Sequence, residues 1–258
     1  MRITLELNKS VEQNAAIYFE KAKKAKKKLE GAKIALGHSE SKLRKLREKQ
    51  ELEIEKMKQE AEKKPRKIEW YEKFRWFISS NNFLIIAGRD ATTNEIVIKK
   101  HTEKNDLVFH TSMAGSPFAV IKSENKKIDD TTVKETADFV AAYSRAWKTG
   151  LTTLDVFYVD PEQVSKQAPS GEYIQKGSFM IYGKKNELNG DVKLFIGSLE
   201  DSKIMAGPES AVKKHCRKCL QVFQGKEKTS AIAKKIKAKL GGDLDEIIRL
   251  LPAGGCKL

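Results

Sequence analysis

Small and apolar residues recur every seven positions at Ala15, Ala22, Leu29, Leu36 and Leu43, with Tyr18, Ala25, Ala32 and Leu46 offset by three. This spacing predicts a long helix with one narrow apolar stripe. No proline falls between Ser10 and Lys64, and only Gly31 and Gly37 interrupt the helix formers. Ser10 and Gln13 have the spacing of a capping box at the start, and Pro65 supplies the stop. Farther along, the stripe drifts to Ile54, Met57 and Ala61, as a four-residue stutter would produce. Alanines bury little area, so such a helix needs a second segment or a second chain to pack on.

From Ile68 the pattern changes. Trp70, Tyr71, Phe74, Trp76 and Phe77 lead into a hairpin turn at Ser79–Asn82 and the buried run FLIIAG at 83–88. Asn81-Asn82 can adopt the left-handed conformation that the turn needs. Asp90 is placed to cap a short helix running to His101. Leu107–Thr111 and Phe118–Lys122 read as paired strands around a Met113–Pro117 turn. Thr131–Lys148 reads as one helix capped by Asp129 and Asp130, with Val133, Ala137, Val140, Ala141 and Ser144 on one face. Strands follow at Leu154–Val159, Phe179–Tyr182, Val192–Ile196 and Cys219–Phe223. A basic helix covers Thr229–Leu240, and a short one capped by Asp243 stops at Pro252. The predicted class is α+β: a coiled-coil-like helical arm over 1–67, then a mixed, mainly antiparallel sheet with flanking helices over 68–258, whose basic C-terminal part is 201–258.

Composition changes this picture in two ways. The 258 residues carry a net charge of +15, which points to a polyanionic partner, nucleic acid before membrane. The surplus is uneven: +9 over 1–68, −1 over 69–200 and +7 over 201–258. The sheet-forming middle is therefore close to neutral. No run is long and apolar enough to span a bilayer, the first residues lack a signal-peptide core, and the three cysteines are too few for a disulfide framework, so the expected location is cytoplasmic. The sequence has no GxxxxGK[ST], no GxGxxG opening a helix, no HExxH and no GxSxG. No catalytic residue and no cofactor are expected. His215, Cys216 and Cys219 are too few for a zinc site, and Cys216 and Cys219 would face opposite ways on a strand, so no metal is expected.

Several long blocks stand in a fixed order: WYEKFRWFISSNNFLIIAGRDATTNE, DLVFHTSMAGSPFAVIKS, AWKTG, VSKQAPSGEYIQKGSFMIYGKKN and GPESAV. Across Trp70–Val212 they resemble the RNA-binding R module of the NFACT family. The arm sequence LELNKSVEQNAAIYFEKAKKAKKKLEG is similar to the start of that family's middle coiled coil. The resemblance implies binding to the large ribosomal subunit and to tRNA on obstructed nascent-chain complexes, in ribosome-associated quality control. It implies a non-enzymatic role, with untemplated tail addition left to the ribosome's own centre and tied to an N-terminal domain. That domain is not part of this sequence, and a separate chain carrying it would be a partner. Two alternatives stay open: a stand-alone RNA-binding module of a tRNA-modification system, and a coiled-coil interaction protein.

The candidate residues are read against that background. Arg89 and Asp90 follow a buried strand, either as an ion pair at its end or as a phosphate-contacting guanidinium oriented by the carboxylate. His110, with Ser112, Gly115 and Ser116, is either a structural histidine beside a turn or one wall of a backbone-rich anion site. Lys166, Tyr173, Lys176, Tyr182, Lys184 and Lys185 surround a candidate hairpin, and Asn186 either closes its turn or contacts RNA with them. Lysines with interleaved aromatics suit looped RNA, and this hairpin is the preferred RNA face. On the arm, Lys21, Lys23, Lys24, Lys26, Lys27 and Lys28 are candidate phosphate contacts or a solvated face.

Overall fold

A computed structural model describes residues 3–61, 68–167, 173–200 and 203–258, with the side chains of 52–61 excepted. The chain divides into two compact units, residues 1–67 and 68–258.

In the first unit, helix α1 (Val11–Ala61) has 51 residues, about 77 Å at 1.5 Å per residue. Its start is the capping box the sequence predicts. The Gln13 amide donates to Ser10 Oγ at 3.3 Å, and the Ser10 amide donates to Gln13 Oε1 at 3.0 Å. The segment before it folds back onto the first turns. Buried Asn14 donates to the carbonyls of Glu6, Lys9 and Ser10, and Tyr18 Oη donates to Thr4 O at 2.7 Å. Phe19, Leu29, Leu36 and Leu43 remain exposed. The predicted stop at Pro65 and the stripe residues Ile54 and Met57 lie outside the described residues and side chains.

The second unit starts with a short 3-10 turn at Trp70–Lys73. Strands β1 (Arg75–Ile78) and β2 (Leu84–Ala87) form a hairpin whose turn places Asn82 at φ 64°. Helix α2 (Ala91–Lys100) is capped by Asp90 and ends at His101. Strands β3 (Leu107–Thr111) and β4 (Ala119–Lys122) pair as expected. Helix α3 (Asp130–Ala142) is capped by Asp129. The helix predicted to run on to Lys148 instead breaks at Tyr143–Arg145 before α4 (Ala146–Thr149). Here the Ser144 hydroxyl takes over backbone partners, donating to Ala141 O and accepting from the Ala146 amide. Tyr143 Oη and Trp147 Nε1 are drawn to the carbonyls of Leu250 and Gly255.

Next come β5 (Thr153–Val159) and the short pair β6 (Val164–Ser165) and β7 (Met180–Ile181), the latter only part of the strand expected over 179–182. Strand β8 (Asn186–Asp191) was not expected, because NELNGD reads as turn sequence. It forms by pairing with β5 at the sheet edge, where only one face needs apolar cover. The chain continues through β9 (Leu194–Ser198), β10 (Ile204–Gly207), α5 (Glu209–His215), β11 (Lys218–Glu227), α6 (Thr229–Leu240), α7 (Leu244–Leu250) and β12 (Cys256–Lys257).

Every strand pairing among the described residues is antiparallel. One six-stranded sheet runs β1-β2-β4-β3-β5-β8 and a four-stranded sheet runs β10-β9-β11-β12. Their β1 and β10 edges meet through the Ile78 amide and Met205 Sδ, 3.4 Å apart. Phe77, Phe109, Phe139, Ile85, Ile121 and Ile196 are buried in one continuous core. No described helix is long and apolar enough to cross a membrane.

Candidate nucleic-acid interface

The open end of the β1–β2 hairpin builds the site. Arg75 starts β1 and pairs with Ala87 near the end of β2, so Arg75 and Arg89 lie side by side where the hairpin opens. Arg75 Nη1 donates to Gly88 O at 3.1 Å, and Arg89 Nη2 donates to Phe74 O at 3.2 Å. The Arg75 guanidinium lies over the Tyr143 ring at 4.6 Å. Both Nε atoms are buried without a hydrogen-bond partner. Burial pulls both guanidinium pKa values below their ordinary range, and Arg249 adds a further lowering at Arg89. Arginine nonetheless stays charged at neutral pH.

Asp90 does not serve as the orienting partner that the sequence reading gave Arg89. Its carboxylate accepts from the Thr93 amide at 2.8 Å as the α2 cap, which holds it below the usual carboxylate range. Behind it, Asn94 is buried on α2 and its Oδ1 accepts from the Phe118 amide at 3.1 Å. Gly88 is required by this approach, since a Cβ there would lie 1.9 Å from Asn94 Oδ1.

Across the cleft, the His110 ring stacks on Phe118 with centroids 3.8 Å apart and planes 6° apart. Its Nδ1 lies 3.0 Å from Pro117 O, so Nδ1–H donates and Nε2 is left as an acceptor. Burial pushes the imidazole pKa down to about 4, so the ring is neutral at pH 7. The turn beside it is held by Ser116, whose hydroxyl reaches Thr111 Oγ1 at 2.6 Å and Met113 O at 2.8 Å. Ser116 Oγ is therefore spent on the turn, although the residue lines the cleft. Gly115 lines it with φ 86°, and exposed Ser112 does not line it.

The third wall is the segment Gln175–Phe179. Lys166 holds it, donating to Gln175 O at 2.8 Å and Ser178 O at 3.0 Å while pairing with Glu95 Oε1 at 2.8 Å. Glu95 also accepts from the Gly177 amide at 3.1 Å, and its carboxylate is held down at about 2, chiefly by Lys166. Lys166 thus shapes the wall, and Lys176 is the lysine of this segment that lines the cleft. The cavity is about 340 Å³, the size of a single small ligand or nucleotide.

The structure brings together Arg89, Asp90, His110, Gly115, Ser116 and Lys176, which are scattered in sequence. It does not bring in the other hairpin residues. Tyr173 is 87% exposed, and Tyr182 Oη donates to Gln167 O at 3.3 Å. Lys184 is exposed, and its carbonyl accepts from Gln163 Nε2. Lys185 lies over the Phe157 ring at 4.5 Å, and Asn186 opens strand β8 rather than closing a turn. Tyr173, Tyr182, Lys184 and Lys185 are exposed around the β6–β7 pair, outside the cleft lining. Arg75, Asn94 and Glu95 were missed. The Glu95–Lys99 spacing was the only local signal among them, and it reports a helix pair rather than a site. On the arm, Lys21, Lys23, Lys24, Lys26, Lys27 and Lys28 are all exposed, with Lys21 5.2 Å from the Tyr18 ring. Among the described residues no group of three His, Cys, Asp or Glu side chains could hold a metal. His215 Nε2 instead meets Ser79 O at 2.8 Å, and burial pushes the Cys216 thiol up to about 12.

The family pattern described as "NFACT protein RNA binding domain" matches residues 73–183. The archaeal Rqc2 homolog aRqcH of Methanocaldococcus jannaschii is 42% identical over 212 residues, covering 79% of this chain. This chain belongs to the NFACT family. The human ribosome quality control complex subunit NEMF is 41% identical over 169 residues, covering 65% of this chain. The chain spans 31% of the archaeal relative's length and 15% of the human one's. Arg75, Arg89, Asn94, His110 and Lys176 all lie inside the matched RNA-binding segment, whereas Lys184, Lys185 and Asn186 lie beyond its end.

Proposed function

We propose that this chain binds RNA on the ribosome in ribosome-associated quality control, contacting the large subunit and tRNA, and catalyses no reaction itself. In this reading it works in the cytosol beside the family's N-terminal domain. The observation that carries it is the pair of guanidinium groups, with no carboxylate bonded to either among the described residues, in a cleft inside the family's RNA-binding segment. Two further features support it: the exposed lysines of α1 and the names of the relatives as quality-control subunits. Uneven charge divides the work. The arm and C-terminal surplus supplies general attraction to polyanions, and the near-neutral middle selects through placed groups.

The test is co-sedimentation with purified large subunits and filter binding to tRNA across a salt series. Binding should weaken linearly on a log–log plot, with a slope of about 0.7 per phosphate contact for single-stranded RNA. Absence of co-sedimentation at low salt would refute the proposal.

A further inference from the structure

We propose that the cleft seats the phosphate of one unstacked RNA nucleotide on Arg75 and Arg89, with a donor of that nucleotide's base or ribose on His110 Nε2. The inference rests on the RNA-binding reading above and narrows it to one subsite. Each guanidinium spends one Nη on a main-chain carbonyl. Among the described residues, Arg75 Nη2 and Arg89 Nη1 have no partner, and neither is sealed from solvent as the two Nε atoms are. Among the described residues no carboxylate is bonded to either guanidinium, and Asp90, spent as the α2 cap, acts on them only through space; a phosphate supplies both the charge and the planar acceptor edge that they fit. Asn94 adds to this end: with Oδ1 held by the Phe118 amide, its Nδ2 donor has no partner among the described residues. Lys176 adds charge along the same lining.

The opposite wall has the opposite demand. His110 presents a neutral acceptor, because Pro117 O takes the Nδ1 proton. An anion there would face a lone pair, whereas a base N–H or ribose hydroxyl would be matched. The cleft lining thus holds the guanidinium donors and a neutral imidazole acceptor together. The cleft volume of about 340 Å³ lies in the range of small-ligand sites, as one unstacked nucleotide requires.

The arginine Nε–H resonances of the 15N-labelled full chain test this directly. The probes are a uridine trinucleotide with a 5′-phosphate, the same trinucleotide with a 5′-hydroxyl, and a structured tRNA. If both trinucleotides shift the Arg75 and Arg89 signals, the phosphate is an internal diester. If only the phosphorylated one does, it is an RNA end. Either result supports the subsite, and Lys176→Ala should then weaken the response by about threefold. If tRNA shifts amides elsewhere while all three probes leave the two arginine signals unmoved, the subsite is overturned and RNA binding stands. If no probe shifts any signal, both fall.

Discussion

Arg75 and Arg89 each donate to the carbonyl that precedes the other, Arg75 Nη1 to Gly88 O and Arg89 Nη2 to Phe74 O. This reciprocal clasp fixes both guanidinium groups at the open end of the β1–β2 hairpin. It leaves both Nε atoms buried and unbonded, a cost to folding that a purely structural arginine pair would not carry. Buried guanidinium charge in a cleft, with no carboxylate bonded to it among the described residues, marks a candidate ligand site.

Replacement of Arg89 by methionine separates these roles. Arg89→Met keeps the bulk and removes the buried charge. Its urea unfolding free energy should lie within about 1 kcal/mol of the parent's, or above it. RNA affinity should fall roughly tenfold. A large loss of stability with unchanged binding would make the arginine structural.

His110 gives a pH signature. Its folded pKa, about 4, lies below its ordinary value of 6.5, so the neutral ring contributes stability fully above 6.5. That contribution is lost as pH falls from 6.5 through 4. His110→Phe keeps a ring to stack on Phe118 and has nothing to titrate. Unfolding curves between pH 7 and 4 should therefore be flatter for the variant, while its RNA affinity at pH 7 drops with the lost Nε2 acceptor.

Glu95 acts in a lower window. Its carboxylate is held at about 2 against an ordinary 4.5, so its contribution is complete above 4.5 and lost as pH falls toward 2. Glu95→Gln should lessen the acid-induced opening of the Gln175–Phe179 segment, read by amide hydrogen exchange at Gly177 and Ser178. Lys166→Met should open the same segment at neutral pH, because it removes the bonds to Gln175 O and Ser178 O together.

Gly88 tests the cleft wall by size alone. Gly88→Ala places a methyl where Asn94 Oδ1 lies and forces Asn94 off the Phe118 amide. A destabilisation of about 1–3 kcal/mol is expected in urea unfolding. RNA binding should weaken more than Arg89→Met alone explains, since both walls shift.

The arm lysines are independent of all this. Changing Lys21, Lys23, Lys24, Lys26, Lys27 and Lys28 to glutamine removes like-charge repulsion within α1, so helicity by circular dichroism should hold or rise. Co-sedimentation with large subunits should lose part of its salt slope. An unchanged slope would make these lysines a solvated face.

The sequence alone settled whatever depends on neighbours in the chain. The Ser10–Gln13 capping box, the Asn81-Asn82 turn, the Asp90, Asp129 and Asp243 caps and the β3–β4 pair are local choices of backbone conformation, legible within a few residues. It also placed Arg89, His110 and Lys176 among the candidates. Tertiary structure decided what they do. Arg75 became a site residue because antiparallel pairing sets it beside Arg89, and Lys166 became a strut because Glu95 and the carbonyls of Gln175 and Ser178 come within its reach. Strand β8 exists because β5 offers it a ladder, and α3 stops because Tyr143 and Trp147 are drawn to the carbonyls of Leu250 and Gly255. Each of these joins residues from about ten to more than one hundred positions apart. Local propensity carries no information about such pairs, because their energy exists only once the sheet has closed.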